Sequence, residues 1–172
     1  IMLSDNDEIP NLDSKGFKMN KKDIVLFKQL FFYFKFNLLY DKMYWFGSKG
    51  CKMKKLKSLS WLKNIKLKKY PFWRVDTLFS ETKQINLQII QEGGWHFTNL
   101  KTPEDMYEKF VNFGHHNEFK LSGLTVEKIR EKIKNKEMFY NHFVDQSSTN
   151  KWKSDYKLKK YSSNLLPKYL SD

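Results

Sequence analysis

The chain has 172 residues, the length of one ordinary domain, and its 40% hydrophobic and 17% aromatic content argues against disorder despite 30% charged residues. The net charge of +13 is a lysine charge: Arg74 and Arg130 are the only arginines among 32 basic residues. Cys51 is the single cysteine, which excludes an internal disulfide and a cysteine-based zinc site. Alanine is absent while Lys, Asn, Phe, Ile and Tyr abound, the pattern of an AT-rich coding sequence, so part of the basic excess needs no partner to explain it.

In chain order, Ile1-Met2-Leu3 reads as the end of a buried strand, and residues 4–10 as the polar loop leaving it. A strand needs neighbours, and a parallel one needs crossover segments before it, so the reading expects an N-terminal portion upstream of Ile1. Pro10 to Asp13 continue as a turn or helix entry. Residues 23–40, rich in β-branched and aromatic side chains, predict one or two strands. Their apolar cluster Leu30-Phe31-Phe32-Tyr33-Phe34 is cut by Lys35, far short of the ~20 residues that span a bilayer.

Residues 43–75 carry ten basic side chains and no acidic one, with Gly47 and Gly50 placing the start in a loop. Ile85, Leu87 and Ile89 alternate as a strand ending before Gly93-Gly94. Thr102-Pro103-Glu104-Asp105 signals a helix start, with Met106, Phe110 and Phe113 on one face and Gly114 as the stop. A second helix starts at the Thr125 cap, with Val126, Ile129 and Ile133 at helical spacing. Residues 147–172 read as a polar C-terminal tail with a short apolar anchor, Leu165-Leu166-Pro167. The whole of 1–172 is read as a single, partial domain.

The chemistry concentrates in Ser4-Asp5-Asn6-Asp7-Glu8-Ile9-Pro10. Asp5 and Asp7 can place two carboxylates around one Mn²⁺ or Mg²⁺, which favour oxygen ligands and keep positions open for phosphate oxygens. Such an ion neutralises a departing diphosphate. The plain alternative is a solvated acidic turn.

A wider set of elements resembles the glycosyltransferase family of the β-1,4-mannosyl-glycoprotein β-1,4-N-acetylglucosaminyltransferase, the enzyme that adds bisecting GlcNAc. Its members carry the S-D-x-D-E-I-P element (4–10), a W-x-G element (Trp45-Phe46-Gly47) and a G-W-H-F element (Gly94-Trp95-His96-Phe97). A helix then leads to H-x-E (His116-Asn117-Glu118), and L-P-x-Y (Leu166-Pro167-Lys168-Tyr169) closes the set. The resemblance implies an α/β, GT-A-like glycosyltransferase fold, here without its N-terminal nucleotide-binding strands. It also implies inverting transfer of N-acetylglucosamine from a UDP-N-acetylglucosamine donor to a glycan acceptor, with a divalent metal. Animal members act in the Golgi; a microbial or viral relative would sit on the cytoplasmic side of a membrane.

On that reading Asp5 and Asp7 hold the metal, Glu118 is the base, and Glu8, Trp95, His96 and His116 bind substrate. Asp105 and Glu92 are rival bases, although Asp105 is already explained by its place in a helix first turn. Gly93-Gly94 beside His96 would permit close backbone approach to a ligand. His96, His115 and His116 are candidate third metal ligands or diphosphate contacts, with function favoured for His96 and the adjacent pair left open, and His142 is read as structural. The lysine stretch from 49 to 69 could face an anionic membrane surface or a charged acceptor, though a solvated loop inflated by codon bias is the preferred reading. Nucleic-acid binding has a rationale in Trp61, Tyr70, Phe72 and Trp73 interleaved with lysine, but the scarcity of arginine argues against it. The rival readings of the whole chain are a non-enzymatic basic binding module and an inactive, truncated transferase.

Overall fold

The computed structural model describes residues 1–112, 114, 116–145 and 148–170. Along the chain come β1 (Met2–Leu3), β2 (Glu8–Pro10), α1 (Lys15–Lys18), β3 (Ile24–Phe27), β4 (Leu30–Tyr33), β5 (Leu38–Leu39), β6 (Lys49–Cys51) and α2 (Leu59–Asn64). There follow β7 (Leu87–Ile90), β8 (Gly94–Thr98), α3 (Pro103–Val111), α4 (His116–Leu121), α5 (Val126–Lys134) and β9 (Lys159–Lys160). This is a mixed α/β chain in two compact units. One comprises Ile1–Phe31, Lys42–His96 and a last segment from Asn164; the other comprises Phe32–Asp41 and Phe97–Ser163.

The first unit is built on a sheet of order β1-β6-β3-β7, in which only β3 and β7 run parallel. All four residues of β3 are buried, as expected of a central strand covered on both faces. Ile24 and Leu26 pack with Trp61, Leu62, Ile65 and Leu87. Val25 and Phe27 turn the other way, onto Ile90 and Phe17. Each such side chain contributes about 1.5–3 kcal/mol on burial. Helix α2 starts where the Ser58 hydroxyl accepts from the Trp61 amide at 3.0 Å. Lys49 is buried, its ammonium donating to the carbonyls of Lys63 and Ile65, and desolvation holds its pKa below the usual lysine range. One lysine of the basic stretch therefore closes the C-terminal end of α2.

In the second unit, Thr102 accepts from the Asp105 amide at 3.1 Å and starts α3, and Thr125 does the same for the Lys128 amide and α5. Glu104 pairs with Arg130 across those two helices. Between them the rings of Phe110, Phe119 and Trp152 meet edge-on or tilted at centroid distances of 4.9–5.5 Å, beside fully buried Met106 and Ile129. Strand β5 pairs with β4 (Phe32 opposite Leu39) and with β9 (Leu38 opposite Lys160).

Several expectations are corrected. Strand β1 is not buried: Met2 is exposed, and the strand lies at the sheet edge, antiparallel to β6. Residues 23–40 hold three strands, because the tight turns after Phe27 and Tyr33 divide one apolar run. The loop expected over 4–10 ends in β2, with Pro10 last, where its missing N–H interrupts no ladder. Helix α3 is capped by Asn112 and does not run on to Gly114; Phe113 lies outside the described residues. The polar tail contains buried Trp152, Leu158 and Leu166, and it supplies β9. Isolated apolar anchors of this kind vanish in an average over a polar segment. No described helix is long and apolar enough to cross a membrane.

Candidate functional site

Pairing of β2 with β8 sets Glu8 directly opposite His96. Residues i and j facing each other in such a pair carry their side chains on one face. The turn before β2 closes with the Glu8 amide donating to the Asp5 carbonyl at 3.2 Å. It swings the Asp7 carboxylate to 3.7 Å from the His96 Nδ1. Asp7, Glu8 and His96 each offer a ligand atom, and these lie within 4.8 Å of one another.

His96 is 5% exposed, its ring sandwiched between Trp45 (4.6 Å, 13°) and Phe31 (4.8 Å, 29°). The stack fixes the plane of the imidazole. Its Nδ1 is buried with no hydrogen-bond partner among the described residues, a condition that costs about 1–3 kcal/mol for a polar atom. Burial pulls the His96 pKa below its ordinary value, against the opposing pull of Asp7, Glu8 and Asp5. The ring is therefore neutral near pH 7, with a lone pair to offer, which is the form that ligates metals.

Glu8 is buried too, at 6% exposure, but both of its carboxylate oxygens are hydrogen-bonded. Trp45 Nε1 donates to its Oε1 at 2.6 Å. Ser48 Oγ donates to Oε2 at 2.9 Å, and the Asp5 amide reaches the same oxygen at 3.4 Å. Ser4 Oγ lies 2.7 Å from Ser48 Oγ, which also accepts from the Gln29 amide at 3.1 Å. With two lone pairs on each carboxylate oxygen, Oε2 is filled and Oε1 keeps one site open. Gly47 makes this possible: a Cβ there would fall 1.5 Å from Glu8 Oε1 and 2.5 Å from Trp45 Nε1.

Comparison of the chain with protein-family models, with curated proteins and with solved structures returns no match.

The sequence candidates fall in different places. Asp7, Glu8 and His96 come together. Asp5 is exposed, and its carboxylate is not one of the clustered donors, because the turn at 5–8 breaks the extended geometry in which Asp5 and Asp7 would share a side. Trp95 lies on the opposite face of β8 from His96 and is half-buried, its Nε1 donating to the Leu165 carbonyl at 3.1 Å. His116 and Glu118 sit in the first turn of α4, in the second unit, with His116 exposed and Glu118 half-buried. Asp105 is exposed in the first turn of α3, and Glu92 is exposed between β7 and β8. His115 lies outside the described residues. His142 meets the Tyr33 hydroxyl at 2.9 Å, as a structural histidine does. Gly94 (φ +111°) serves strand approach: a Cβ there would lie 2.1 Å from the Ile9 carbonyl oxygen.

Trp45, Ser48, Gln29 and Phe31 were not read as functional in the sequence. Trp45 and Gly47 had a signal, the W-x-G spacing. Ser48 and Gln29 had none, since a lone Ser and a lone Gln look like any others.

Proposed function

We propose that this chain carries the site of a metal-dependent inverting glycosyltransferase of GT-A-like fold, moving N-acetylglucosamine from UDP-N-acetylglucosamine to a glycan acceptor. The single observation that supports it best is the buried, unpartnered His96 Nδ1 facing the Asp7 and Glu8 carboxylates. Convergence adds weight. The elements at 4–10, 45–47 and 94–97, far apart in sequence, meet around Glu8, and Trp95 reaches Leu165 beside the L-P-x-Y element at 166–169.

A Mn²⁺ or Mg²⁺ ion bound there would act as a Lewis acid on the leaving diphosphate. Asp7 and His96 would hold it, joined by the open lone pair of Glu8 Oε1. A nitrogen in the donor set tilts the site from Mg²⁺ toward Mn²⁺. Glu8, clamped by Trp45 and Ser48, keeps the carboxylate and imidazole in register before any ligand arrives. Asp7, with its side chain 42% exposed, faces the side from which a diphosphate can enter. The roles of Glu118 as base and of Trp95 and His116 as sugar contacts are implied by the resemblance alone.

Mn²⁺ titration of the whole chain, followed by electron paramagnetic resonance, tests the site. Asp7→Asn and His96→Gln should each weaken Mn²⁺ at least about tenfold; Asp7→Asn, at a half-exposed side chain, should do so without shifting the unfolding midpoint. Equal Mn²⁺ affinity in wild type and Asp7→Asn would remove the assignment.

A further inference from the structure

We propose that the segment from Lys66 to Phe79 is a docking element for an anionic membrane surface. The proposal shares no residue with the Asp7, Glu8 and His96 cluster and stands apart from the transferase reading. Within eight residues, Phe72, Trp73, Val75, Leu78 and Phe79 are 80%, 69%, 63%, 77% and 86% exposed. Phe72 and Trp73 touch edge to face at 5.2 Å. Scattered exposed apolar residues are ordinary, but a contiguous set of this size marks an interaction site.

The segment is held from its inner side. Tyr70 and Thr77 are buried, and the Thr77 hydroxyl donates to the Arg74 carbonyl at 2.6 Å, closing a 3₁₀ turn over Val75–Thr77. The large apolar side chains therefore point out while a small polar one points in. A segment of unspecified purpose would be expected to do the reverse.

Charge selects the partner. Asp76 is clamped between Arg74 at 2.7 Å and Lys83 at 2.6 Å, and these cations hold its carboxyl well below the usual range. Glu81 is paired with Lys57 at 3.2 Å. With both local acids compensated, exposed Lys54, Lys55, Lys63, Lys66, Lys68 and Lys69 give the surroundings a positive field. Lysine point charges beside Trp and Phe suit the headgroup region of an anionic bilayer, where aromatic rings lodge at the interface. A nucleic-acid groove is less well served. Of the four rings that interleave with the lysines, Trp61 and Tyr70 are buried, which halves the stacking platform.

Cosedimentation of the whole chain with phosphatidylcholine vesicles, with and without phosphatidylserine, tests this. Binding should need phosphatidylserine and should weaken as salt rises from ~0.1 M to ~1 M. The double substitution Phe72→Ser/Trp73→Ser should weaken it by about tenfold or more, the yield expected from two buried rings; Leu78→Ser/Phe79→Ser should act likewise. Leu121→Ser, at an exposed apolar residue of the second unit, should leave it unchanged. All these side chains are exposed, so the unfolding midpoint of each variant should match the wild type. Absence of vesicle binding, or binding indifferent to both double substitutions, overturns the proposal. So does the finding that the substitutions abolish self-association or oligonucleotide binding in a chain that ignores vesicles.

Discussion

Around Glu8 and around Phe72 the usual sorting of side chains is inverted in opposite senses. At the first place a carboxylate, an imidazole, a serine and a glutamine are taken out of water. At the second, five large apolar residues are left in it. The first inversion is compensated bond by bond: Glu8 has Trp45, Ser48 and the Asp5 amide, and among the described residues only His96 Nδ1 and Gln29 Oε1 stay unmatched there. None of the described residues covers the second. Stability is thus concentrated in one region and nearly absent from the other. A deficit inside a closed network points to a small ligand, whereas a deficit spread over a surface points to an extended one.

The contrast can be broken most forcefully at Gly47. Gly47→Ala drives a methyl group into Glu8 and Trp45 and should destabilise the fold by about 3 kcal/mol, read by urea unfolding. Next comes Glu8→Gln, which keeps the shape but turns an NH₂ group toward either the Trp45 N–H or the Ser48 side. A loss of about 2 kcal/mol is expected in the same assay; a neutral result would mean that the network is not a stabilising one. The pH response is gentler. Because burial lowers the folded-state pKa of His96, the unfolded chain binds more protons below the ordinary histidine value near pH 6.5. His96 is thus without penalty above that pH, and stability falls as the pH drops below it toward the folded-state pKa. Thermal melts should show that decline, and His96→Phe, which fills the aromatic sandwich, should flatten it. Smallest of all, Phe72→Ser and Phe79→Ser should change stability by less than about 0.5 kcal/mol, since neither side chain is buried.

What could be read from the sequence follows the range of the forces concerned. Thr102 and Thr125 announced their helices because a cap acts over three residues. The alternation at 85–89 announced β7 for the same reason. Helix α4 escaped notice because it has six residues and buries Phe119 alone. The site was half visible. Asp7 and His96 stood out as residue types and in the ordered elements, but the choice of Asp7 over Asp5 depends on a turn closed by a single backbone bond. Trp45 and Ser48 depend on a fold that carries them to Glu8 from about forty residues away. The exposure of Phe72 and Phe79 depends on which rings the core accepted, and Tyr70, two residues from Phe72, was taken in.

The antiparallel pairing of β2 with β8 has a consequence for timing. Asp7 and Glu8 lie near one end of the chain and His96 beyond its middle, so no local segment contains the donor set. Contacts of such long separation close late and slowly, because the loop entropy must be met before they form. During synthesis the acidic residues emerge well before the strand that completes them. The parallel pairing of β3 with β7 waits for the same stretch of chain. Assembly of the site and closure of the first sheet are therefore one late event, and Mn²⁺ binding during refolding should rise with the last kinetic phase and not before it.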